Sequence, residues 1–418
     1  MNFKKRAILI WFLYVLIAFS FFTNCFASEI DSSGNYDFAS HEVAADVSSI
    51  PQINSRAAIV LERTTGTVLF GKNENEVKKM ASTTKIMTSL VVLENCQDLS
   101  EIVAVSKKSA SIGGSRLGLS ANAKITVNDL LYGLLLCSGN DAAIALAEFV
   151  GGTVEGFASL MNQKALDLGL EDTHFVTPHG LDNDEHYTTA YELALLTNYA
   201  LENKTFAKIV NTKSYTVYIN NLPKNIGNTN ELLGNLNGVY GVKTGFTNGA
   251  NRCLVTACKR GDLDIICVVL GADTKKFRTQ DSIKLIEYAF SNFKMVDIKS
   301  IIEENFSKWQ TESSSYFFVN KGISNKVDTY LEDMPYYLYP INTSKIKDIN
   351  VNMNCSYNFE APLLANTSIG ELVCSIDNLE ICKLNIYSLN SVYKKNPLFY
   401  IDNFFKNYSA YLESLFDF

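Results

Sequence analysis

Two apolar helical segments that follow each other between residues 127 and 150 constrain the fold more than any other feature. The stretch VNDLLYGLLLCSGNDAAIALAEFV is interrupted only at Ser138-Gly139. Such segments must be buried by other elements. Short β-rich segments lie on both sides in sequence: AAIVL and VLF come before, and YGVKTGF, NRCLVTACKR and LDIICVVLGA come after. We therefore predict an α+β fold in which an early strand and the late strands share one sheet around a helical block.

The first 52 residues read as an export segment and a polar lead-in. Lys4, Lys5 and Arg6 precede an apolar run over residues 7–22, and Ala27 ends a sequence suited to cleavage. We predict a signal peptide over 1–27 and a flexible lead-in over 28–52. An uncleaved membrane anchor is the alternative, because the apolar run is only slightly shorter than a bilayer span.

The remaining chain divides into three parts by its pattern. Residues 53–295 contain the helical block and its strands, and residues 296–392 alternate in short segments that predict a small all-β domain. In residues 396–418, apolar and aromatic side chains recur every three to four positions. This pattern predicts an amphipathic helix, which either docks on its own domain or lies in a membrane interface, and its terminal position favours peripheral membrane contact.

The charge of the chain excludes nucleic acid as a partner. The formal charge is −7, and removal of the three positive charges of the signal peptide leaves −10. Such a chain would be repelled by phosphate backbones. Among the nine cysteines, only Cys374 and Cys382 flank a predicted turn, so they are the one pair that could face each other across a hairpin.

Ser82 and Lys85 form the first candidate catalytic pair. They stand three residues apart at the start of a helical run, so both side chains lie on one helical face. A buried lysine loses proton affinity, and its neutral amine can then accept the serine proton without any histidine. The spacing alone is weak evidence, because it recurs at Ser291/Lys294, Ser344/Lys347 and Ser391/Lys394.

Two further motifs set Ser82 apart from those chance matches. Ser138-Gly139-Asn140 places a hydroxyl and an amide at a helix-to-helix junction, and Lys243-Thr244-Gly245 lies in a predicted strand. The three motifs in this order are a known combination for serine enzymes of the penicillin-binding group. Together with THFVTPHGLDNDEHYTTAYELA and CLVTACKR, they resemble the low-molecular-weight penicillin-binding proteins, the D-alanyl-D-alanine carboxypeptidases, over residues 55–290.

The resemblance implies a penicillin-binding-protein/β-lactamase-like catalytic domain and a role for each motif residue. Ser82 would be the nucleophile, Lys85 its base, and Ser138 a proton relay to the leaving amine. The other implied roles belong to substrate binding: Asn140 to the peptide backbone, Lys243 and Thr244 to the terminal carboxylate, Gly245 to an open strand edge, and Phe246 to the oxyanion hole with the Ser82 N–H. The substrate would be a peptidoglycan stem peptide ending in D-Ala-D-Ala, processed outside the cell membrane, and β-lactam antibiotics would acylate the enzyme.

Two alternatives share these motifs: a class A-like β-lactamase, and a catalytically silent wall-binding protein on the same fold. We predict no cofactor, because the sequence has no glycine-rich phosphate or dinucleotide fingerprint. A metal site at His174, His179 and His186 is disfavoured, because spacings of five and seven residues match no usual zinc pattern.

Overall fold

The computed structural model describes residues 50–313, 315–334, 338–377 and 379–416. The predicted signal peptide and most of the predicted lead-in lie outside the described residues. The chain forms two compact units, divided between Lys294 and Met295. The sequence placed this division one residue later, between 295 and 296.

The first unit contains nine strands and eight α-helices among its described residues. The strands are β1 (Ala57–Glu62), β2 (Val68–Lys72), β3 (Ile102–Ala104), β4 (Lys124–Thr126), β5 (Ser214–Ile219), β6 (Leu222–Gly227), β7 (Val239–Thr247), β8 (Asn251–Arg260) and β9 (Leu263–Ala272). The helices are α1 (Lys85–Asn95), α2 (Lys107–Ser111), α3 (Val127–Leu135), α4 (Asn140–Gly151), α5 (Val154–Asp167), α6 (Ala190–Glu202), α7 (Lys204–Val210) and α8 (Lys275–Asn292).

The main sheet joins the first strands of the chain to the last strands of this unit. Its order is β2-β1-β9-β8-β7, and all its pairs are antiparallel. β1 pairs with β9 from Ala57↔Leu270 to Glu62↔Ile265. Every residue of β9 is buried, so both faces of the sheet centre are covered. The prediction that an early strand and late strands share one sheet is confirmed, and β7 is left as an edge strand.

The helical block forms as the apolar pattern predicts. α3 begins after Thr126, whose side chain accepts a hydrogen bond from the Asp129 N–H, which is a standard N-cap. The break predicted at Ser138-Gly139 separates α3 from α4. Both helices contribute to the core that also receives Ile266, Val268 and Leu270 from β9. The block is therefore buried against the sheet.

Asp141, in the first turn of α4, ties this helix to the segment at residues 117–119. Its carboxylate accepts hydrogen bonds from the N–H groups of Leu117 (2.7 Å), Gly118 (2.7 Å) and Leu119 (2.9 Å). It also accepts from the N–H of Ala142 at 3.0 Å, and the side chain is fully buried. One acidic group thus satisfies three buried donors and that of the exposed Gly118, and it holds the junction next to Ser138 in place.

The second unit begins with a helix that the sequence interpretation missed. α9 (Ile298–Ser313) follows β10 (Phe293–Asp297), so the prediction of an all-β domain over 296–392 is wrong, although the domain is β-rich. Ile298, Ile302 and Phe306 are buried on one side of α9 at helical spacing. The later elements are β11 (Phe318–Asn320), β12 (Thr329–Leu331), β13 (Leu338–Asn342), β14 (Ile349–Cys355), β15 (Asn358–Glu360), β16 (Ser368–Ile376), β17 (Leu379–Ser388) and α10 (Pro397–Phe416).

The core of this unit lies on a four-stranded sheet of order β12-β17-β16-β14. Cys374 and Cys382 occupy directly opposed positions of β16 and β17, and both are free thiols. α10 lies within the predicted 396–418 segment, and its described side chains are exposed except that of Phe399, which is half-buried. Among the described helices, none alone has the length and apolar character of a membrane span, and only α4 and α5 taken together, bent by 82°, reach it.

We expect Asp141→Ala to lower the free energy of unfolding by about 3 kcal/mol or more, because it leaves the buried N–H groups of Leu117, Leu119 and Ala142 without their acceptor. Asp262→Ala, at the exposed β8–β9 turn, is the matched control and should change stability by less than about 0.5 kcal/mol. Urea denaturation followed by circular dichroism measures both. Equal stability of the two variants would contradict the anchoring role.

Candidate active site

Ser82 and Lys85 meet at the entrance to α1. Residues Ala81–Thr84 form a 3-10 turn that leads directly into this helix, and Lys85 is its first residue. The Ser82 Oγ lies 2.8 Å from the Lys85 Nζ. The proximity predicted from their spacing is therefore present. Ser82 is half-buried, whereas Lys85 is fully buried.

The other contacts of Lys85 determine how it can interact with Ser82. Its Nζ lies 2.8 Å from the Asn140 Oδ1 and 2.7 Å from the His179 carbonyl oxygen. Both of these atoms can only accept hydrogen bonds. A neutral amine has two N–H groups and one lone pair. With both N–H groups donated to Asn140 and His179, the lone pair faces the Ser82 hydroxyl and can accept its proton.

The electrostatic surroundings favour that neutral amine. Burial lowers the pKa of Lys85 well below its usual value, and the nearby charge of Lys243 lowers this pKa further. Burial also lowers the pKa of Lys243, to about 7. Desolvation penalises both ammonium groups, and two cations placed close together oppose each other. Of these two lysines, Lys85 is therefore the one suited to act as a base.

The Ser138-Gly139-Asn140 junction places the Ser138 side chain in the cleft and the Asn140 side chain against Lys85. Ser138 has a φ of 61°, in the left-handed region, and lines the same cleft as Ser82. The Asn140 amide is occupied internally, because its Nδ2 donates to the Gly113 carbonyl at 2.8 Å while its Oδ1 contacts Lys85. In this structure Asn140 thus orients Lys85, a contact that the sequence did not predict.

β7 carries Thr244, Gly245 and Phe246 along the cleft, and Lys243 precedes them on the same strand without lining the cleft itself. Lys243 is almost fully buried, and its Nζ donates to the Thr244 carbonyl at 3.0 Å. The Thr244 hydroxyl lies 2.7 Å from that of Thr229. A Cβ at Gly245 would lie 3.1 Å from the Met80 carbonyl oxygen, so glycine allows β7 to approach the turn that bears Ser82. Among the described strands, β7 pairs with β8 alone, which leaves its outer edge available to a peptide.

Phe246 is 48% exposed, and the guanidinium of Arg252 lies over its ring at 3.5 Å from the ring centroid. The two form part of the wall of the cleft, which has a volume of about 510 Å³. The backbone N–H of Phe246 belongs to the strand whose register with β8 is continuous from Val242 to Thr247. This wall is therefore held in position by the sheet.

The cleft also contains an arginine that the sequence interpretation missed. Arg278 is 3% exposed, lines the cleft, and donates from Nη2 to the Glu231 Oε1 at 3.0 Å. Its Nε is buried without a hydrogen-bond partner. Lys275 also contacts Glu231, at 2.5 Å. Arg278 lies in the first part of α8 within no recognisable motif, so no local sequence signal could have identified it.

The three histidines of the segment at residues 173–189 have separate environments. The His179 carbonyl oxygen accepts a hydrogen bond from the Lys85 Nζ, and the His179 Nδ1 accepts one from the Leu181 N–H at 3.1 Å. Burial lowers the pKa of His179 to about 3 and that of His186 to about 4. His174 Nδ1 instead contacts the Glu185 carbonyl. Asp182 of the same segment accepts from the Thr247 hydroxyl at 2.6 Å, which joins the segment to the end of β7.

Comparison with known families identifies both parts of the chain. The model of the D-alanyl-D-alanine carboxypeptidase family matches residues 44–274, and the model of the penicillin-binding protein 5 C-terminal domain matches residues 311–394. The D-alanyl-D-alanine carboxypeptidase DacF of Bacillus subtilis is 34% identical over 330 residues, which cover 77% of this chain and 82% of that protein.

Solved structures agree with this assignment. Penicillin-binding protein 5 from Haemophilus influenzae superposes with a TM-score of 0.65 at 27% identity, covering 83% of this chain and 99% of that one. The Streptomyces K15 DD-transpeptidase superposes with a TM-score of 0.56 at 35% identity, covering 58% of this chain and 99% of that one. The chain therefore belongs to the D-alanyl-D-alanine carboxypeptidase family and is a serine-type D-Ala-D-Ala carboxypeptidase of the penicillin-binding protein 5 type, which processes cell wall peptidoglycan.

Proposed function

We propose that Ser82 and Lys85 perform the chemistry of this carboxypeptidase. The Ser82 Oγ attacks the carbonyl carbon between the last two D-alanines while its proton passes to the neutral Lys85 amine. The peptide C–N bond then breaks, the leaving amine receives a proton through Ser138, and D-Ala departs. Water later attacks the acyl carbon and gives one proton to Lys85 by way of Ser138. The bond from the acyl carbon to the Ser82 Oγ then breaks, and Lys85 returns the proton to that oxygen as the shortened peptide leaves. The observation that carries this proposal is the 2.8 Å contact between Ser82 and a fully buried Lys85.

The backbone N–H groups of Ser82 and Phe246 form the proposed oxyanion hole. Each such donor contributes about 3 kcal/mol to transition-state stabilisation in other serine enzymes. The substrate peptide lies along the free edge of β7 as an added strand, where the absence of a side chain at Gly245 keeps the approach open. Contact of Asn140 with the substrate backbone remains a prediction, and its observed partner supports a further role in orienting Lys85.

Lys243, Thr244 and Arg278 bind the terminal carboxylate of the substrate. Arg278 extends the set predicted from sequence, because it is a buried guanidinium in the cleft with an unsatisfied Nε. A planar guanidinium suits a carboxylate better than an ammonium does. A carboxylate-ended D-Ala-D-Ala stem peptide and a β-lactam, which also bears a carboxylate, fit the same arrangement.

The place of action is the extracytoplasmic space, where family members process peptidoglycan. We propose that α10 holds the enzyme at the outer surface of the cell membrane. Its exposed apolar side chains are Leu398, Tyr400, Ile401, Phe404, Phe405, Tyr408, Tyr411 and Leu412. Asp402 and Lys406 pair with each other at 2.7 Å and cancel in charge, so apolar insertion rather than attraction to anionic lipid provides the binding.

Replacement of the nucleophile tests the central role. We expect Ser82→Ala to lower D-Ala release by about 10⁴-fold or more and to abolish covalent penicillin labelling, because no acyl-enzyme can form. Mass spectrometry with a pentapeptide and with penicillin reports both products. Ser344→Ala, in a serine–lysine pair of the same spacing that is exposed on another 3-10 helix, is the matched control and should retain activity. Labelling of Ser82→Ala would refute the assignment.

The pH dependence of kcat/KM tests the two lysines. Lys85 must be neutral, so activity should rise as pH passes upward through its lowered pKa. Lys243 must be charged, so activity should fall above a pH of about 7, where that ammonium loses its proton. Lys243→Arg should move the descending limb to higher pH, because a guanidinium stays protonated. A descending limb that is unchanged in Lys243→Arg would exclude Lys243 as its source.

Vesicle binding tests α10. We expect the double change Phe404→Ser and Phe405→Ser to lower co-sedimentation with phosphatidylcholine vesicles by about tenfold or more, because it removes two exposed aromatic rings. The double change Tyr316→Ser and Phe318→Ser alters equally exposed rings outside the helix and should leave binding unchanged. Equal binding by both double variants would contradict the membrane role.

A further inference from the structure

His186 is a buried histidine that takes no part in the reaction described above. It is 2% exposed, and its ring lies edge-on to Phe175 at 5.7 Å. Its Nδ1 accepts a hydrogen bond from the Val176 N–H at 3.0 Å, and its Nε2 lies 2.7 Å from the Thr84 hydroxyl. A backbone N–H can only donate, so Nδ1 carries no proton. The neutral imidazole therefore has its proton on Nε2.

Thr84 determines the direction of the same hydrogen bond independently. Its Oγ1 lies 2.7 Å from the carbonyl oxygen of Ala81, which can only accept. The single hydroxyl hydrogen of Thr84 is thus given to Ala81, and the hydroxyl oxygen accepts from His186. The partners of His186 and those of Thr84 thus assign the same direction. His186 Nε2–H donates to the Thr84 hydroxyl oxygen, and the Thr84 hydroxyl donates to the Ala81 carbonyl.

The Ala81 carbonyl belongs to the peptide group that ends in the Ser82 N–H. This peptide is trans, so its C=O and N–H point in opposite directions. Ala81 has a φ of 50°, in the left-handed region that alanine rarely adopts, so its orientation needs support from its surroundings. Gly180 lies directly against this carbonyl, because a Cβ there would lie 1.9 Å from the Ala81 oxygen. The segment at residues 173–189 therefore packs against the carbonyl at Gly180 and reaches it through His186 and Thr84.

We propose that His186 is a positioning residue for the oxyanion hole. Acting through Thr84, it fixes the Ala81 carbonyl toward the segment at residues 173–189 and so aims the Ser82 N–H at the developing oxyanion. The inference rests on the proposed function, in which Ser82 is the nucleophile and its N–H is an oxyanion donor. A misdirected N–H weakens stabilisation of the transition state and leaves binding of the ground state intact.

The test compares three threonine variants of the full-length enzyme. Thr84→Val has the same shape as threonine and can neither accept from His186 nor donate to Ala81. Thr84→Ser keeps both hydrogen bonds. Thr88→Val is the matched control, because the Thr88 hydroxyl donates to the Pro178 carbonyl of the same segment at 2.7 Å and does not contact the Ala81–Ser82 peptide. Stopped-flow acylation by a fluorescent penicillin separates the dissociation constant from the acylation rate constant per active molecule.

We expect Thr84→Val to lower the acylation rate constant about tenfold with an unchanged dissociation constant, less than the loss from deleting an oxyanion donor. Thr84→Ser and Thr88→Val should stay within about twofold of the wild type. Addition of His186→Gln to Thr84→Val should cause no further loss, because His186 acts through Thr84. A wild-type rate constant in Thr84→Val, or an equal loss in Thr84→Ser or Thr88→Val, overturns the inference.

A second measurement is made on the wild-type enzyme and needs a variant only to assign the signals. Long-range ¹H–¹⁵N correlation spectra of the wild-type enzyme distinguish the two neutral imidazole tautomers, and the His186 signals are those that disappear in His186→Gln. The inference requires the proton on Nε2, and a proton on Nδ1 overturns it. Failure of the wild-type enzyme to be acylated at Ser82 would instead refute the proposed function.

Discussion

Enclosure of the Lys85 side chain is the constraint on which the active site depends. An ammonium group in a protein interior is costly unless it is well compensated, so enclosure favours the neutral amine. Two carbonyl-type oxygens take the N–H groups of that amine and leave its lone pair toward Ser82. Ser344 and Lys347 show the contrast: they have the same spacing, within the 3-10 helix Thr343–Asp348, yet both are exposed. Burial, and not spacing, separates the proposed catalytic pair from this exposed one.

This enclosure requires segments that are distant in sequence. Asn140 comes from the start of α4, the His179 carbonyl from the segment at residues 173–189, and Lys243 from the edge strand β7. Asp141 fastens the α4 junction, and Asp182 fastens the 173–189 segment to the end of β7. The sheet and the helical block together therefore bury the Lys85 side chain, while Ser82 stays half-buried and open to the cleft.

The sequence predicted the elements whose patterns are local. Strand and helix periodicity located β1, β7, β8, β9 and the α3–α4 break, and motif order led to the penicillin-binding group. The wider resemblance, which includes residues 173–192, favoured the D,D-carboxypeptidase family over a β-lactamase, and the intact motif residues disfavoured a silent wall-binding protein. α9 was missed even though Ile298, Ile302 and Phe306 have helical spacing, because short alternating segments beyond it dominated the interpretation. Arg278 and the internal partners of Asn140 depend on tertiary contacts over more than twenty residues, and no local pattern encodes these.

The proximity of Lys243 to Lys85 connects substrate binding with the reactivity of the base. The charge of Lys243 helps to keep Lys85 neutral, and a bound carboxylate would offset that charge. When terminal D-Ala leaves, it carries its carboxylate away, and Lys243 again favours a neutral Lys85 for the hydrolytic step. An opened penicillin stays attached to Ser82 together with its carboxylate, so Lys243 remains neutralised and Lys85 holds its proton more strongly. On the proposed roles, the same pair of lysines thus allows rapid release of the shortened peptide and slow release of the antibiotic.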